Sequence, residues 1–194
     1  MEILEYLFGG AAKVRLLKLF LLNPEEAFDA SEIRARTKIS PKQSRGIVIA
    51  LKNYGFLKQR TVIKERKHVK EWQLNELFSL TYPLVNLLSD EKIFSKNSLV
   101  RRFKDAGRVK LIITAGAFLN RNDGVVDLLV VGDALKSGKI ESIIGTIEAD
   151  TGKEVRYAIA QTEDFLYRLS SRDRFVRDIL DYPHEIVMDK LGLR

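Results

Sequence analysis

Between Ser40 and Lys70 the chain carries nine Lys and Arg side chains against one acid, Glu65. The whole 194-residue chain has a net charge of +7, so the rest of it is close to neutral. The residue order in this stretch narrows the fold. Ser40 followed by Pro41 marks a helix start, because the hydroxyl can cap the first turn and proline at the first helical position loses an N–H that has no helical partner there. Ile47, Val48, Ala50, Leu51 and Tyr54 supply an apolar face, and Gly55 suits the left-handed residue that stops a helix. Beyond it, Leu57–Ile63 and His68–Leu74 alternate as two strands joined by a short charged turn. A basic helix start is thus tied in sequence to a hairpin with a basic tip.

Upstream, Leu4, Leu7, Ala11, Val14, Leu17 and Leu21 recur at helical spacing, and Gly9-Gly10 divides them into two helices, the second ending near Leu22. Asn23-Pro24 closes that helix, since the residue before a proline is driven out of the helical region. Asp29 and Glu32 form a capping-box pattern for a short helix over about 30–37, with Ile33 facing inward. Trp72 and Leu74 are expected to pack under the hairpin, and Tyr54 and Phe56 to lie in the core.

Helix, helix, turn, helix and basic hairpin, with the Tyr54-Gly55-Phe56-Leu57 step between the last two, resemble the winged helix-turn-helix family of prokaryotic transcription regulators. The resemblance covers residues 1–75 and implies a reader of double-stranded DNA. In such a domain the start of the last helix enters the major groove. Here that start offers Ser40, Lys42, Gln43, Ser44 and Arg45. Lys and Arg suit a guanine edge, Gln an adenine edge, and Ser a base or phosphate. The hairpin tip would bring Lys64, Arg66 and Lys67 to phosphates or the minor groove, and Arg60, Lys58 and Lys70 would add backbone contacts. Gly46, inside this helix, costs about 1 kcal/mol relative to alanine. Simple tolerance and close approach of the backbone to DNA both account for it.

Asn75 is a candidate cap for a helix from Glu76 into the eighties with Pro83 near a break, and residues 76–97 read as a helical linker with Ser89–Lys92 as its polar centre. A helix over about 98–105 turns Leu99, Val100 and Phe103 inward. Strands at 111–114, 125–131, 154–160 and 185–188 then alternate with helices at 135–149, 161–170 and 172–180, the pattern of a small α/β domain over 98–194.

Ala115-Gly116-Ala117, followed by Gly124-Val125-Val126-Asp127 and an apolar strand to Gly132, resembles the minimal nucleotidyltransferase family, small relatives of DNA polymerase β. The resemblance implies a glycine loop for nucleotide phosphates and carboxylates for two metal ions. The chain departs from it at three places. Ala117 stands where the family has a serine, Val125 where it has the first carboxylate, and Arg156 at the position of the third. Two-metal transfer needs oxygen ligands holding ions about 3.5–4 Å apart. Asp127 alone is a poor basis for that, and Arg156 would repel the ions. The expectation is a non-catalytic domain without metal or cofactor, with Gly116, Asp127 and Arg156 as a vestigial pocket.

The expected fold class is therefore α+β, a winged helix-turn-helix followed by a nucleotidyltransferase-like domain, and the expected function DNA-binding transcription regulation. Two alternatives stay open: an active nucleotidyltransferase using Asp127 with Asp123 or Glu154, and an antitoxin-like module that binds a nucleotide or a protein. A homodimer through the helices in 1–22 and 76–88 is also left open. The chain has no cysteine and two histidines, which excludes disulfides and cysteine-based zinc sites and leaves little for a histidine site. Its charged N-terminal helices do not resemble a signal peptide, and its longest apolar run is about half of the ~20 residues a membrane helix needs. A cytoplasmic protein is expected.

Overall fold

The structure, a computed structural model, describes residues 2–89, 95–119, 121 and 124–193. It is mixed α and β, and it divides into two compact units. The first comprises Met1–Glu91 with Gly145–Glu154, and the second Lys92–Ile144 with Val155–Arg194.

The first unit begins with α1 (Glu2–Phe8) and α2 (Ala11–Leu21), separated at the two glycines. Strand β1 (Ala27–Asp29) leads directly into α3 (Ala30–Thr37). The capping box is present: Asp29 accepts from the Ser31 and Glu32 amides (2.8 and 3.0 Å), and Glu32 accepts from the Asp29 amide (2.6 Å). Helix α4 (Pro41–Asn53) follows, then β2 (Leu57–Lys64) and β3 (Lys67–Leu74). The sheet order is β1-β3-β2, all antiparallel. Sequence periodicity passes over β1 because three residues are too few to show an alternation.

Leu16, Leu19, Phe20, Phe28, Ile33, Val48, Phe56 and Leu74 form the core of this unit, with Trp72 packed half-buried against it. Tyr54 is not in that core; it is 81 % exposed. It is the C-cap of α4, beyond the last turn that packs inward, and Phe56 takes the buried position after the Gly55 turn.

The segment expected to act as a linker belongs to this core. No helix starts at Glu76; α5 spans Thr81–Ser89, and Phe78, Leu84, Val85 and Leu88 pack in the first cluster. Starting at Thr81 places Pro83 in the first turn, where its missing N–H breaks no helical bond. Asp90–Lys92 of the proposed polar centre lie outside the described residues.

In the second unit, α6 (Lys96–Arg102) precedes β4 (Arg108–Ala115), a short 3-10 turn at Gly116–Leu119 and β5 (Leu128–Asp133). Then come α7 (Ser137–Thr151), β6 (Tyr157–Gln161), α8 (Thr162–Ser170), α9 (Arg174–Asp181) and β7 (His184–Asp189). The sheet runs β6-β5-β4-β7, with β5 and β6 parallel and the other pairs antiparallel. Leu111, Ile113, Leu129 and Val131 from the sheet meet Phe165, Val176 and Ile179 from α8 and α9 in its core.

The end of α7 counts with the first unit, contrary to the division at residue 98. Charge explains this. Arg15 reaches Asp150 with Nε and Nη2 (2.9 and 2.8 Å), Asn23 Nδ2 donates to the Gly152 carbonyl (2.7 Å), and Arg36 pairs with Glu154 (2.9 Å). No described helix is long and apolar enough to cross a membrane.

Candidate nucleic-acid interface

The first turn of α4 carries no acid. The Ser40 hydroxyl accepts from the Gln43 amide (3.4 Å), which caps the helix and leaves Ser40 exposed. Lys42, Gln43, Arg45, Gly46 and Ile49 are exposed along one side. The free amides of this turn and the dipole of α4 add positive potential at the same end.

Ser44 departs from the sequence reading. It is buried, 6 % exposed, and its Oγ donates back to the Pro41 carbonyl (3.2 Å). The reason is helical geometry: Ser44 lies four residues before Val48, on the face that enters the core. Gly46 lies on the open side, where an added Cβ would meet nothing within 4 Å. Gly46→Ala is therefore expected to stabilise the fold by about 1 kcal/mol, measured as a shift of the urea midpoint. If the same variant binds duplex DNA more weakly, the glycine serves backbone approach; unchanged binding makes it mere tolerance.

The hairpin turns tightly at Glu65-Arg66, both with positive φ (48° and 64°), and Lys64 pairs with Lys67 across it. Two of its basic residues are spoken for. Lys64 Nζ lies 3.1 Å from Asp29, 3.2 Å from Glu32 and 2.9 Å from Glu71. Arg60 reaches Glu71 with Nε and Nη2, both at 2.9 Å. Arg60 and Lys64, expected as DNA contacts, thus serve as counter-ions within the unit, with side chains 60 % and 40 % exposed. Three acids create this arrangement: Asp29 at the end of β1, Glu32 in α3 and Glu71 in β3. Arg60 faces Glu71 in the register, and the capping box brings Asp29 and Glu32 to the same place.

The charges respond accordingly. Burial would raise the Asp29 carboxyl, but the Ser31 hydroxyl, the Glu32 and Ser31 amides and Lys64 outweigh it and hold it at about 2. Glu71 is lowered by Lys64 first and Arg60 second, and Lys64 is raised in return by Glu71 and Asp29.

Lys42, Arg45, Lys58, Arg66, Lys67 and Lys70 remain, exposed and without an ion pair among the described residues. Between α4 and the hairpin strands lies a groove of about 380 Å³, lined by Arg45 and Lys70 together with Ile49 and half-buried Trp72. The exposed side of α4 and the hairpin tip thus present cations, with Glu65 the one acid in the turn, while Asp29, Glu32 and Glu71 are drawn to Arg60 and Lys64.

In the second unit, Gly116, Asp127 and Arg156 do come together. Asp127 Oδ1 accepts from the Ala117 amide and Arg156 Nη2, each at 2.9 Å. Its Oδ2 accepts from the Arg156 amide (2.9 Å) and Arg156 Nε (3.1 Å). Gly116 has φ +47°, and a Cβ there would overlap Asp127 Oδ1. The cluster expected as a vestigial pocket is a closed ion pair whose carboxylate is fully engaged. Of the acids named for an alternative catalytic set, Glu154 is paired with Arg36 and Asp123 lies outside the described residues. Among the described residues, no three His, Asp or Glu side chains gather as a metal site.

No family model matches the chain, and no curated protein or solved structure matches it either.

Proposed function

We propose that the chain is a sequence-specific double-stranded DNA-binding protein that regulates transcription by occupying its sites. In this reading the first unit is a winged helix-turn-helix domain, α4 its recognition helix and the β2–β3 hairpin its wing. Lys42, Gln43 and Arg45 read base edges in the major groove, and Arg66 and Lys67 hold the backbone. Lys58 and Lys70 add to the backbone term. In this reading Arg60 ties the two hairpin strands together through Glu71, and Lys64 ties the hairpin to Asp29 and Glu32.

One observation carries the reading: the exposed cations of α4 and of the hairpin tip have no ion-pair partner among the described residues, although the same unit neutralises Arg60 and Lys64 of the hairpin. The second unit is proposed to be nucleotidyltransferase-like in descent and non-catalytic, because Asp127 is bound to Arg156 and two amides.

Selection of duplexes from a random pool, followed by mobility shifts across a salt series, tests the proposal. An enriched motif whose affinity falls with salt supports it; equal affinity for all sequences sinks it. Arg66→Ala with Lys67→Ala is expected to lower the slope of log affinity against log salt by about 2, equally for specific and random duplexes.

A further inference from the structure

The second unit holds a cavity of about 510 Å³ at one end of its sheet, among the residues of α6 and the turn after it, the start of β4 and the end of β7. Its lining contains no acid and five cations: Arg101, Lys104, Arg108, Lys110 and Lys190. Lys110 is held by Asp133 at 2.9 Å. Arg101, Lys104 and Lys190 are exposed and form no ion pair among the described residues, and Arg108, also exposed, stands across the β4–β5 register from Asp133, whose carboxyl it helps to lower. Like charges converge here because of local backbone geometry. The β4–β5 register shifts around Lys110, a bulge that re-aims the strand start, and the Lys190 amide donates to the Lys110 carbonyl at 2.8 Å.

The rest of the lining is apolar. Phe103 and Val109 are buried and Met188 is half-buried. A run of surface cations would suffice for a nucleic-acid backbone, which has no use for a concave apolar wall. A small ligand uses both parts. The volume falls within the roughly 300–1,000 Å³ of small-molecule sites, and a concave wall of low polarity strengthens the field of the surrounding cations.

We propose that this cavity binds an organic phosphate of nucleotide size, its phosphates on Arg101, Lys104, Arg108 and Lys190 and its flat or apolar portion against Val109 and Met188. The site is separate from the Gly116–Asp127–Arg156 cluster, which shares no lining residue with it. It does not depend on the DNA-binding reading.

The test is a fluorescence titration of the full chain with N-methylanthraniloyl-ATP at physiological salt, with unlabelled ATP, inorganic triphosphate and a random DNA duplex as competitors. Saturable binding is expected, displaced by ATP and less effectively by inorganic triphosphate. Lys104→Glu and Lys190→Glu should each weaken it about tenfold, the scale of one lost charge-assisted contact. Lys67→Glu on the hairpin should leave it unchanged while weakening duplex binding, so the two proposals fail separately. Both cavity substitutions are at exposed side chains, and thermal melts confirm that each variant folds; if one does not, the other decides. Absence of saturable binding up to about 1 mM, the weak end of the useful affinity range, overturns the proposal. So does equal binding by the variants. Displacement by the duplex, with loss of duplex affinity in the same two variants, would reassign the cavity to nucleic acid and overturn it as well.

Discussion

Asp127→Ala is expected to destabilise the protein by about 3 kcal/mol, the scale of two backbone amides left without their acceptor. The carboxylate is buried, with 3 % side-chain exposure, while its partner Arg156 is 51 % exposed and can rehydrate. Most of the cost comes from what the substitution leaves behind: two backbone amides, of Ala117 and Arg156, lose their acceptor. Arg156→Ala should cost less, about 1–2 kcal/mol, because Asp127 keeps both amide donors.

The acid limb of stability supplies the second readout. Burial would raise the Asp127 carboxyl, but the Arg156 guanidinium and the two amides hold it below its ordinary value. A carboxyl whose folded value lies below its unfolded value contributes stability that is complete above about pH 4 and lost as pH falls through the folded value. Wild type and Asp127→Ala should therefore differ most at neutral pH and converge toward pH 2, in urea melts across that window. Asp29, held at about 2, adds a parallel loss that both proteins share. An aspartate retained as a metal ligand would behave in the opposite way, since an uncompensated acid in a site usually costs stability and its removal relieves the cost. A neutral or stabilising Asp127→Ala would end the structural reading of this residue.

How far the sequence revealed this arrangement depended on whether a signal was local. The caps at Asp29 and Ser40, the break at Gly9-Gly10 and the stop at Gly55 are local chemistry, and the structure has each of them where the residues indicate. The start of α5 was misplaced because Asn75 offers a plausible cap, but its side chain bonds the Leu77 amide and the Gly55 carbonyl instead. The candidate site was harder to read. Nothing local in Lys64 distinguishes it from Lys67, yet one meets three carboxylates and the other has none among the described residues. That difference is set by the β2–β3 register and by the position of α3, which are tertiary facts. Ser44 was visible in principle: its spacing from Val48 already assigned it to the buried side of α4. The fate of Arg156 was half legible. The resemblance placed it where a carboxylate is usual, but the closed pair with Asp127 required the two strand starts to be neighbours.

Replacing both Lys42 and Arg45 by alanine is expected to reduce affinity for the selected duplex by about 30-fold to 10⁴-fold, given about 1–3 kcal/mol for each good contact to a base edge. Affinity for random duplex should fall much less, through the loss of two cations near the backbone, with a salt slope shallower by at most about 2. The ratio of specific to random affinity therefore separates this pair from Arg66 and Lys67, whose removal should lower both affinities together. Two controls follow from the geometry. Ser44→Ala should leave binding intact because its hydroxyl is turned to the Pro41 carbonyl. Lys64→Ala should lower stability, by removing the cation that Asp29, Glu32 and Glu71 share, without changing the salt slope. The alanines at 42 and 45 lie on the exposed side of α4 and alanine favours helix, so lost binding in the double variant cannot be traced to lost fold. Competitive mobility shifts with selected and random duplexes decide the matter: if the double variant weakens both equally, α4 is a backbone contact and the bases are read elsewhere.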